Sequence, residues 1–406
     1  MNVIFIEPSF PSYQKEFVRG LVEAGANVIG IGERPRDWLD GDVSNWLSHY
    51  EQVSSVVDVD AVERAVRFVQ GRVWVDRLEA TIEAHVESAA GVRARCGIPG
   101  TSVHTAWLCR DKPAMKEVLR RDGVPTAQSA GADTPEELWA FARAVGYPLI
   151  IKPRSAAGAS GTIKVDNDAE LQTTIPSLGF QHGASVAVEE YIEGHEGFFD
   201  TISINGVVAH EFISHYYPNV LEAMRTRWIS PVFITTNRID SGGYEEVKQL
   251  GRKVIPSLGI GTSATHMEWF YGPKGLKFSE IACRPPGVGA WDLYCAANEM
   301  DVYREWASAV CHGRITTRPS RRYSAGIVAL RPDRDGTITG YEGLSEVHRL
   351  FGDWIIDYHL PPAGTATQPV EAGYMANAWV RMRHPDYDEL RSMLNRVGEI
   401  AQVRAG

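Results

Sequence analysis

Short apolar runs alternate with amphipathic segments over the first hundred residues, and this alternation constrains the fold more than any other feature. An apolar run at residues 2–6 precedes an amphipathic segment that ends at Gly25, and a second apolar run covers residues 28–31. Strand, helix and strand in this order are typical of a parallel α/β unit. The alternation continues with a strand predicted over residues 72–75 and a helix over residues 78–95.

Turn and cap residues define further elements. Asp111 and Gly123 flank a predicted helix, and a second helix is predicted over residues 135–145. Asn205-Gly206 lies between alternating runs, which predicts a β-hairpin. The chain is predicted to end with strands and a helix over residues 387–400.

The composition excludes several classes of protein. A formal charge of −10 over 406 residues gives no general attraction for nucleic acid or anionic membranes. The five cysteines show no Cys-x-x-Cys spacing, which favours a reducing compartment over a disulfide framework or a structural zinc site. The N-terminal apolar run is too short for a signal peptide, and no run approaches the roughly 18 apolar residues of a membrane helix. We therefore expect a soluble cytoplasmic protein of two or three domains.

A lysine at the end of a predicted strand is the first candidate for ligand binding. Lys152 ends the strand over residues 149–152, and a loop rich in Gly, Ala and Ser continues to Gly161. Small side chains let backbone N–H groups surround phosphate oxygens, and the lysine supplies a positive charge. The loop leads into a strand and lacks a Gly-Lys-Ser/Thr ending, so it differs from the strand-to-helix phosphate loop. The alternative is a flexible connection without a ligand.

Two carboxylates on neighbouring predicted strands form the second candidate. Glu268 and Glu280 supply the oxygen ligands that Mg²⁺ prefers, and substrate phosphates can complete its coordination. Arg284 follows four residues later and can hold a phosphate or carboxylate through two parallel hydrogen bonds. The alternative is a surface hairpin with salt-bridged charges.

Other candidates depend on their positions along the chain. Lys112 begins a predicted helix, and acidic residues flank Tyr191. Arg225 and Arg227 lie in a loop-rich segment, where they are either ordinary surface charges or a clamp for a substrate carboxylate. His266 lies two residues before the first carboxylate and faces the same side of the strand, either as a candidate base or as a packed core histidine.

The motifs of this chain, taken in order, resemble those of the ATP-grasp superfamily of carboxylate ligases. The motifs are the helix that begins with a lysine, the strand that ends with a lysine and its loop, the Glu-x-Tyr-Ile segment at residues 189–192, and the Glu…Glu-x-x-x-Arg set. The motifs are most similar to those of L-amino-acid ligases, which form dipeptides. The resemblance implies an α/β (α+β) ATP-grasp fold. It places a Rossmann-like parallel sheet domain at residues 1–100, an ATP-grasp domain with a central antiparallel sheet at 101–318, a lid subdomain at about 125–192, and a C-terminal α+β domain at 319–406.

The resemblance also implies roles for individual residues. Arg284 and Lys152 would act in catalysis, and Glu268 and Glu280 would bind one or two Mg²⁺ ions, with Mn²⁺ as an alternative. Gly287 joins Arg225, Arg227 and His266 as a candidate substrate contact, because a Gly/Pro loop after the arginine shapes the acceptor pocket of amino-acid ligases. The residues implied to bind ATP are Lys112, Lys152, Ser155, Gly158, Ser160, Gly161, Glu189, Glu190, Tyr191, Ile192, Glu196 and Phe270.

Two departures from the family pattern matter, and one further difference separates this chain from biotin carboxylases. Ala282 stands where many members have an asparagine that binds metal, which weakens the case for a second ion. Ser279 replaces a large aliphatic residue under the adenine ring, so adenine packing must depend on Phe270 or Ile150. The run at residues 285–289 differs from that of biotin carboxylases, which argues against a biotin carrier as partner.

The implied reaction has two steps. A substrate carboxylate attacks the γ-phosphate of MgATP to give an acyl phosphate, and an amine then displaces phosphate, with amino acids as the favoured substrates. A carboxylase or small-molecule kinase of the same superfamily is one alternative, and a catalytically silent nucleotide-binding protein is another. Related ligases are often dimers, so a homodimer is one of the oligomeric states left open.

Overall fold

The computed structural model of this protein describes residues 1–155, 161–370, 374–375 and 378–406. These residues form a four-stranded parallel sheet, a four-stranded antiparallel sheet, an eight-stranded antiparallel sheet and a two-stranded sheet. Helices pack around the sheets, so the mixed α/β architecture predicted from the sequence is confirmed. In the same residues, no helix combines the length and the apolar character needed to cross a membrane.

The N-terminal segment consists of β1 (Asn2–Ile6), α1 (Gln14–Glu23), β2 (Asn27–Gly32), α2 (Gly41–Trp46), β3 (Leu47–Gln52), α3 (Val59–Gln70), β4 (Arg77–Glu79) and α4 (Val86–Cys96). The strands pair in parallel in the order β3-β2-β1-β4. Val3 and Phe5 of β1 pack into one hydrophobic cluster, whereas Ile4 and Ile6 pack into another. Because both faces of β1 are covered, its sequence is apolar without alternation.

Two predictions in this segment are wrong. Residues 72–75 are not a strand: Trp74 is 77% exposed, and β4 lies two residues later, where Leu78 pairs with Ile4. The helix predicted from residue 78 begins only at Val86. Leu78 is buried in the sheet, and the buried Thr81 donates its hydroxyl to Gln14, so these residues are held in extended and turn conformations.

Two helices lead into a small α/β layer that we call the lid. They are α5 (Val103–Leu108) and α6 (Lys112–Arg121), and the lid contains β5 (Ser129–Ala132), α7 (Pro135–Val145), β6 (Leu149–Pro153), β7 (Ile163–Val165), α8 (Asp168–Thr174) and β8 (Val186–Glu190). The lid strands pair antiparallel in the order β5-β8-β6-β7. Leu138, Leu149 and Val188 belong to its separate core.

The central segment contains β9 (His195–Ile204), β10 (Val207–Tyr217), α9 (Val220–Ala223), β11 (Val232–Thr235), α10 (Glu245–Ser257), β12 (Ser263–Gly272), β13 (Gly275–Ala282), α11 (Ala290–Asn298) and α12 (Val302–His312). The hairpin predicted at Asn205-Gly206 joins β9 and β10. Asn205 has φ 51° and Gly206 has φ 82°, the left-handed conformations that such a turn requires.

The C-terminal segment contains β14 (Ser324–Leu330), β15 (Ile338–Glu342), α13 (Leu344–Phe351), β16 (Ile355–His359), β17 (Ala378–His384), α14 (Tyr387–Ile400) and β18 (Gln402–Ala405). The largest sheet has the strand order β13-β12-β9-β10-β11-β14-β17-β16. It therefore includes strands from both sides of residue 318, where a domain boundary is predicted. That boundary stays a prediction.

Candidate active site

The register of the large sheet places several carboxylates on one face. Glu268 of β12 lies directly opposite Glu280 of β13, and Phe270 lies opposite Glu196 of β9. The pairing shifts between Glu268 and Trp269, where Ser279 is the extra residue of a β-bulge. A bulge re-aims the side chains beside it, so Ser279 enters the wall of a cleft in front of the sheet.

Helix α6 brings positive charge to this face. The Asp111 side chain caps the helix by accepting a hydrogen bond from the Ala114 N–H at 3.0 Å. Lys112 follows the cap, and its Nζ lies 3.4 Å from Glu280 Oε2. Lys116 lies one helical turn later on the same face and also lines the cleft. Lys116 is not among the residues predicted from the sequence, although its spacing of four residues from Lys112 is a usable signal.

Glu189 of β8 lies between two lysines. Its Oε1 is 2.5 Å from Lys116 Nζ, and its Oε2 is 3.1 Å from Lys152 Nζ. Burial alone would raise the pKa of Glu189, but the two lysines outweigh burial and lower it to about 2. Burial lowers the pKa of Lys116 to about 8; Glu189 opposes this shift, and the positive charge of Lys152 adds to it. The Glu189 side chain is thus engaged by two lysines within the cleft.

Lys152 connects this group to the paired carboxylates. Its Nζ lies 3.9 Å from Glu280 Oε2, as well as close to Glu189. Burial would lower the pKa of Lys152, but Glu189 and Glu280 raise it, so the side chain stays cationic. Burial would likewise raise the pKa of Glu280, and Lys112 and Lys152 lower it. Lysine and glutamate side chains therefore alternate along the floor of the cleft. An anionic ligand can bind the lysines in place of the glutamates, and a cation can then bind the glutamates.

A cleft of about 290 Å³ lies between the lid and the large sheet. Ile150 and Phe270, the two residues proposed to pack adenine in place of Ser279, both line it. The sequence-predicted site residues that the structure brings together in this cleft are Lys112, Lys152, Glu189, Glu190, Tyr191, Ile192, Glu196, Arg225, Glu268, Phe270 and Glu280.

Two glutamates of the Glu-x-Tyr-Ile region have specific partners. Glu190 accepts a hydrogen bond from Gln128 N–H and pairs with Lys274 at 2.8 Å, which ties the lid to the turn between β12 and β13. Glu196 Oε2 accepts a hydrogen bond from Val220 N–H at 2.6 Å. Burial, together with the nearby Glu268, raises the pKa of Glu196 to about 8.

Arg284 and His266 line a small cavity next to the cleft, and Lys112 and Glu280 are common to both spaces. Arg284 Nε donates to Glu83 Oε2 at 2.5 Å. Burial would lower the pKa of His266, but the adjacent Asp200 raises it to about 9. Both cationic side chains thus lie beside the paired carboxylates, at one end of the cleft.

The remaining predicted residues lie at the margins or elsewhere. Ser155 lines the small cavity next to the cleft, and Gly161, at φ 68°, is the first residue after the gap in the described chain. Gly158 and Ser160 lie outside the described residues. Arg227 pairs with Asp335 at 2.7 Å, which turns it toward the C-terminal segment, so it belongs to a structural ion pair. Gly287 accepts a hydrogen bond from Ala290 N–H at the start of α11.

The donor set in the cleft fits Mg²⁺. Glu268 and Glu280 offer carboxylate oxygens side by side on two paired strands. No group of three or more Asp, Glu, His or Cys within the described ranges encloses an ion. Mg²⁺ needs no such cage, because it is held by one or two carboxylates together with substrate phosphates and water.

Comparison with known proteins identifies an ATP-grasp domain in this chain. A family model of the ATP-grasp domain matches residues 117–299, which include most of the residues that line the cleft. Residues 117–299 thus match the ATP-grasp domain family. ATP-grasp domains bind ATP, typically with Mg²⁺, and serve ATP-dependent ligases.

Two curated relatives and one solved structure are informative. The L-arginine-specific L-amino acid ligase of Bacillus subtilis is 26% identical over 324 residues, covering 76% of this chain and 75% of that protein. The formate-dependent phosphoribosylglycinamide formyltransferase of Janthinobacterium is 21% identical over 345 residues, covering 83% and 81%. The crystal structure of an L-amino acid ligase from Bacillus licheniformis superposes with a TM-score of 0.78 at 18% identity, covering 100% of this chain and 98% of that one.

Proposed function

We propose that this ATP-grasp protein is a carboxylate–amine ligase. It activates a substrate carboxylate as an acyl phosphate, couples it to an amine and releases ADP and phosphate. The observation that carries the proposal is the convergence of Lys112, Lys152, Glu268 and Glu280 in one cleft, with Arg284 at its end. This arrangement of charges suits phosphoryl transfer, which depends mainly on positioning and on neutralisation of charge.

Each side chain has a defined task in this proposal. Lys112 and Lys152 exchange their present carboxylate partners for phosphate oxygens, and Glu280, released from them, is then available to a cation. Glu268 and Glu280 would hold Mg²⁺, which would supply neutralisation of the phosphate charge. Arg284 is fixed by Glu83 beside the carboxylates, where it can stabilise the oxyanion that forms when the amine attacks.

Amino acids are the proposed substrates. The proposal is supported by the L-amino acid ligases among the relatives and by the cationic Arg225, whose Nη2 donates to Thr162 O at 3.3 Å at the edge of the cleft. Arg225 is thus placed to bind a carboxylate that enters from solvent.

An ADP-release screen over pairs of amino acids tests the proposal. We expect release to require two substrates and to be accompanied by formation of a peptide or amide. Release with one carboxylate and a phosphorylated product would instead identify a kinase, and release that depends on bicarbonate would identify a carboxylase. Nucleotide binding without release under every condition would identify a silent nucleotide-binding protein.

Replacement of Glu280 tests the metal assignment. Glu280→Ala removes one of the two paired carboxylates, so we expect Mg²⁺-dependent turnover to fall at least 100-fold. The exposed Glu136 on α7 provides the control, since Glu136→Ala changes charge equally at a distance from the cleft. Full activity of Glu280→Ala, with circular dichroism unchanged, would remove Glu280 from the metal site.

A further inference from the structure

A buried series of polar contacts leads from Tyr294 of α11 through Asp200 and His266 to Glu268, one of the proposed metal carboxylates. Asp200 of β9 is 1% exposed and lies directly opposite His266 of β12. Its Oδ1 is 2.7 Å from His266 Nδ1, and its Oδ2 accepts a short hydrogen bond from the hydroxyl of Tyr294 on α11. Both oxygens of this carboxylate are therefore engaged.

The series of polar contacts begins at Tyr294, which is held in place by the core. Tyr294 is fully buried and stacks on Phe212, with ring centroids 4.3 Å apart and planes 4° from parallel. A tyrosine held in this way cannot follow Asp200 if the carboxylate rotates. The cost of burying Asp200 is thus offset by two fixed partners, and its orientation is set by the core.

The imidazole of His266 is oriented as a result. With Nδ1 held by Asp200, Nε2 lies at the opposite edge of the ring, 3.7 Å from Glu268 Oε1. The ring of Phe198 packs against the imidazole at 5.1 Å and 65°, which limits its tilt. The free edge of His266 is therefore aimed at one of the two carboxylates that the proposed function assigns to Mg²⁺.

A second buried histidine in the same sheet shows what a purely structural pair looks like. His210 directs its Nε2 to Glu305 at 3.2 Å, and Glu305 also accepts the Thr316 N–H at 2.7 Å. In that pair, Nε2 of the histidine is bound to the buried carboxylate. In His266 the buried carboxylate takes Nδ1 and leaves Nε2 toward Glu268.

We infer that Asp200 is a positioning residue that acts through His266 to hold the Glu268 carboxylate in the orientation that binds Mg²⁺. The inference rests on the proposed function, because it assigns Glu268 to the metal. Outer partners of metal ligands generally change metal affinity by about 10- to 100-fold when they are removed.

Calorimetric titration with ADP, with and without Mg²⁺, tests the inference without turnover. We expect Mg²⁺ to strengthen ADP binding by the wild-type protein. In Asp200→Asn and in His266→Gln, the factor by which Mg²⁺ strengthens ADP binding should be about tenfold smaller than in the wild type. The ADP affinity measured without metal should be unchanged. The double variant should lose no more than either single variant, since the two residues act in series.

Two further variants keep the test decisive if Asp200→Asn is poorly folded. Tyr294→Phe leaves the Asp200–His266 bond in place but frees the carboxylate to rotate, so it should lose a smaller part of the gain. Glu305→Gln breaks the other buried histidine–carboxylate pair and should lower the melting temperature without changing the effect of Mg²⁺.

The outcomes separate this inference from the proposed function. Additive losses in the double variant would mean that Asp200 does not act through His266. Lowered melting temperatures with an intact Mg²⁺ effect would mean that Asp200 has only a structural role. If Mg²⁺ does not change the ADP affinity of the wild-type protein, both the proposed metal site and this inference are wrong.

Discussion

Glu189 and Lys116 illustrate how burial changes the behaviour of single residues. Lys116 has no exposed surface and Glu189 is 5% exposed, so each depends on the other and on Lys152 for the stability of its charge. Breaking one member of a buried ion pair generally costs more than the pair contributes, because a charge is left without a partner. These residues therefore influence the folding free energy as well as the proposed binding of ATP.

The lowered pKa of Glu189 predicts a pH-dependent contribution to stability. The unfolded carboxylate takes up its proton near pH 4.5 and the folded one near pH 2, so the stabilisation is present above pH 4.5 and is lost as the pH falls toward 2. We expect Glu189→Gln to reduce the unfolding free energy by about 3 kcal/mol at pH 7 and by little at pH 2. Urea unfolding over this pH range measures the difference.

Glu136→Gln provides the control for this experiment, because Glu136 is exposed on the surface of the lid. Its effect on the unfolding free energy should be within about 0.5 kcal/mol at every pH. A deficit for Glu189→Gln that stays constant from pH 7 to pH 2 would show that the loss comes from packing and not from the ionised carboxylate.

Helix α6 shows how one element can position two proposed ATP ligands. Asp111 caps the helix and also pairs with Arg154, at 2.9 Å to Nε and 3.0 Å to Nη2. The backbone N–H of Lys112 donates to Arg154 O at 3.3 Å. Because Arg154 follows Lys152 at the end of β6, the start of the helix and the end of the lid strand are held in one arrangement.

Asp111→Ala should therefore affect nucleotide binding beyond its effect on the helix. Loss of the cap alone costs about 1 kcal/mol of stability. Loss of the Arg154 contact should in addition raise the KM for ATP about tenfold, because Lys112 and Lys152 are then no longer held in one arrangement. Steady-state kinetics and thermal unfolding measure the two effects.

Asp58→Ala is the matched control, since Asp58 caps α3 by accepting hydrogen bonds from the N–H groups of Asp60 and Ala61. We expect a similar loss of stability with an unchanged KM for ATP. If both variants raise the KM equally, the effect of Asp111 is a general consequence of weaker folding.

At the scale of the whole molecule, the proposed catalytic arginine is held by the N-terminal segment. Glu83 binds Arg284 at 2.5 Å across 201 positions of sequence, and Arg110 pairs with the other oxygen of Glu83 at 3.1 Å. The N-terminal segment and the large sheet thus meet at the end of the cleft. Movement of one relative to the other would displace the Arg284 guanidinium.

Glu83→Gln tests this connection. The amide keeps the shape of the side chain but loses the charge that fixes Arg284, so we expect kcat to fall about tenfold with little change in the KM for ATP. Glu87→Gln is the control, because Glu87 pairs with the same Arg110 at 2.8 Å but lies on the exposed side. Equal kinetics for the two variants would argue against a positioning role for Glu83.

Local signals in the sequence determined much of the secondary structure. The helices predicted over residues 135–145 and 387–400 have those bounds, and the Asn205-Gly206 hairpin is present. Helix periodicity, caps and turn residues act over a few positions, so a sequence carries them directly. The predictions over residues 72–85 are wrong for the opposite reason. Leu78 is in a sheet because it pairs with β1, which is distant in sequence.

Only the tertiary structure decided which charged side chains meet. The ordered motifs indicated Lys112, Lys152, Glu268, Glu280 and Arg284, but no pattern assigned Glu189 to two lysines. Nothing in the sequence selected the partners that hold His266 and Arg284 either, since they lie 66 and 201 positions away. Contacts of this kind depend on strand register and domain packing, which arise from burial summed over the molecule and not from any local run of residues.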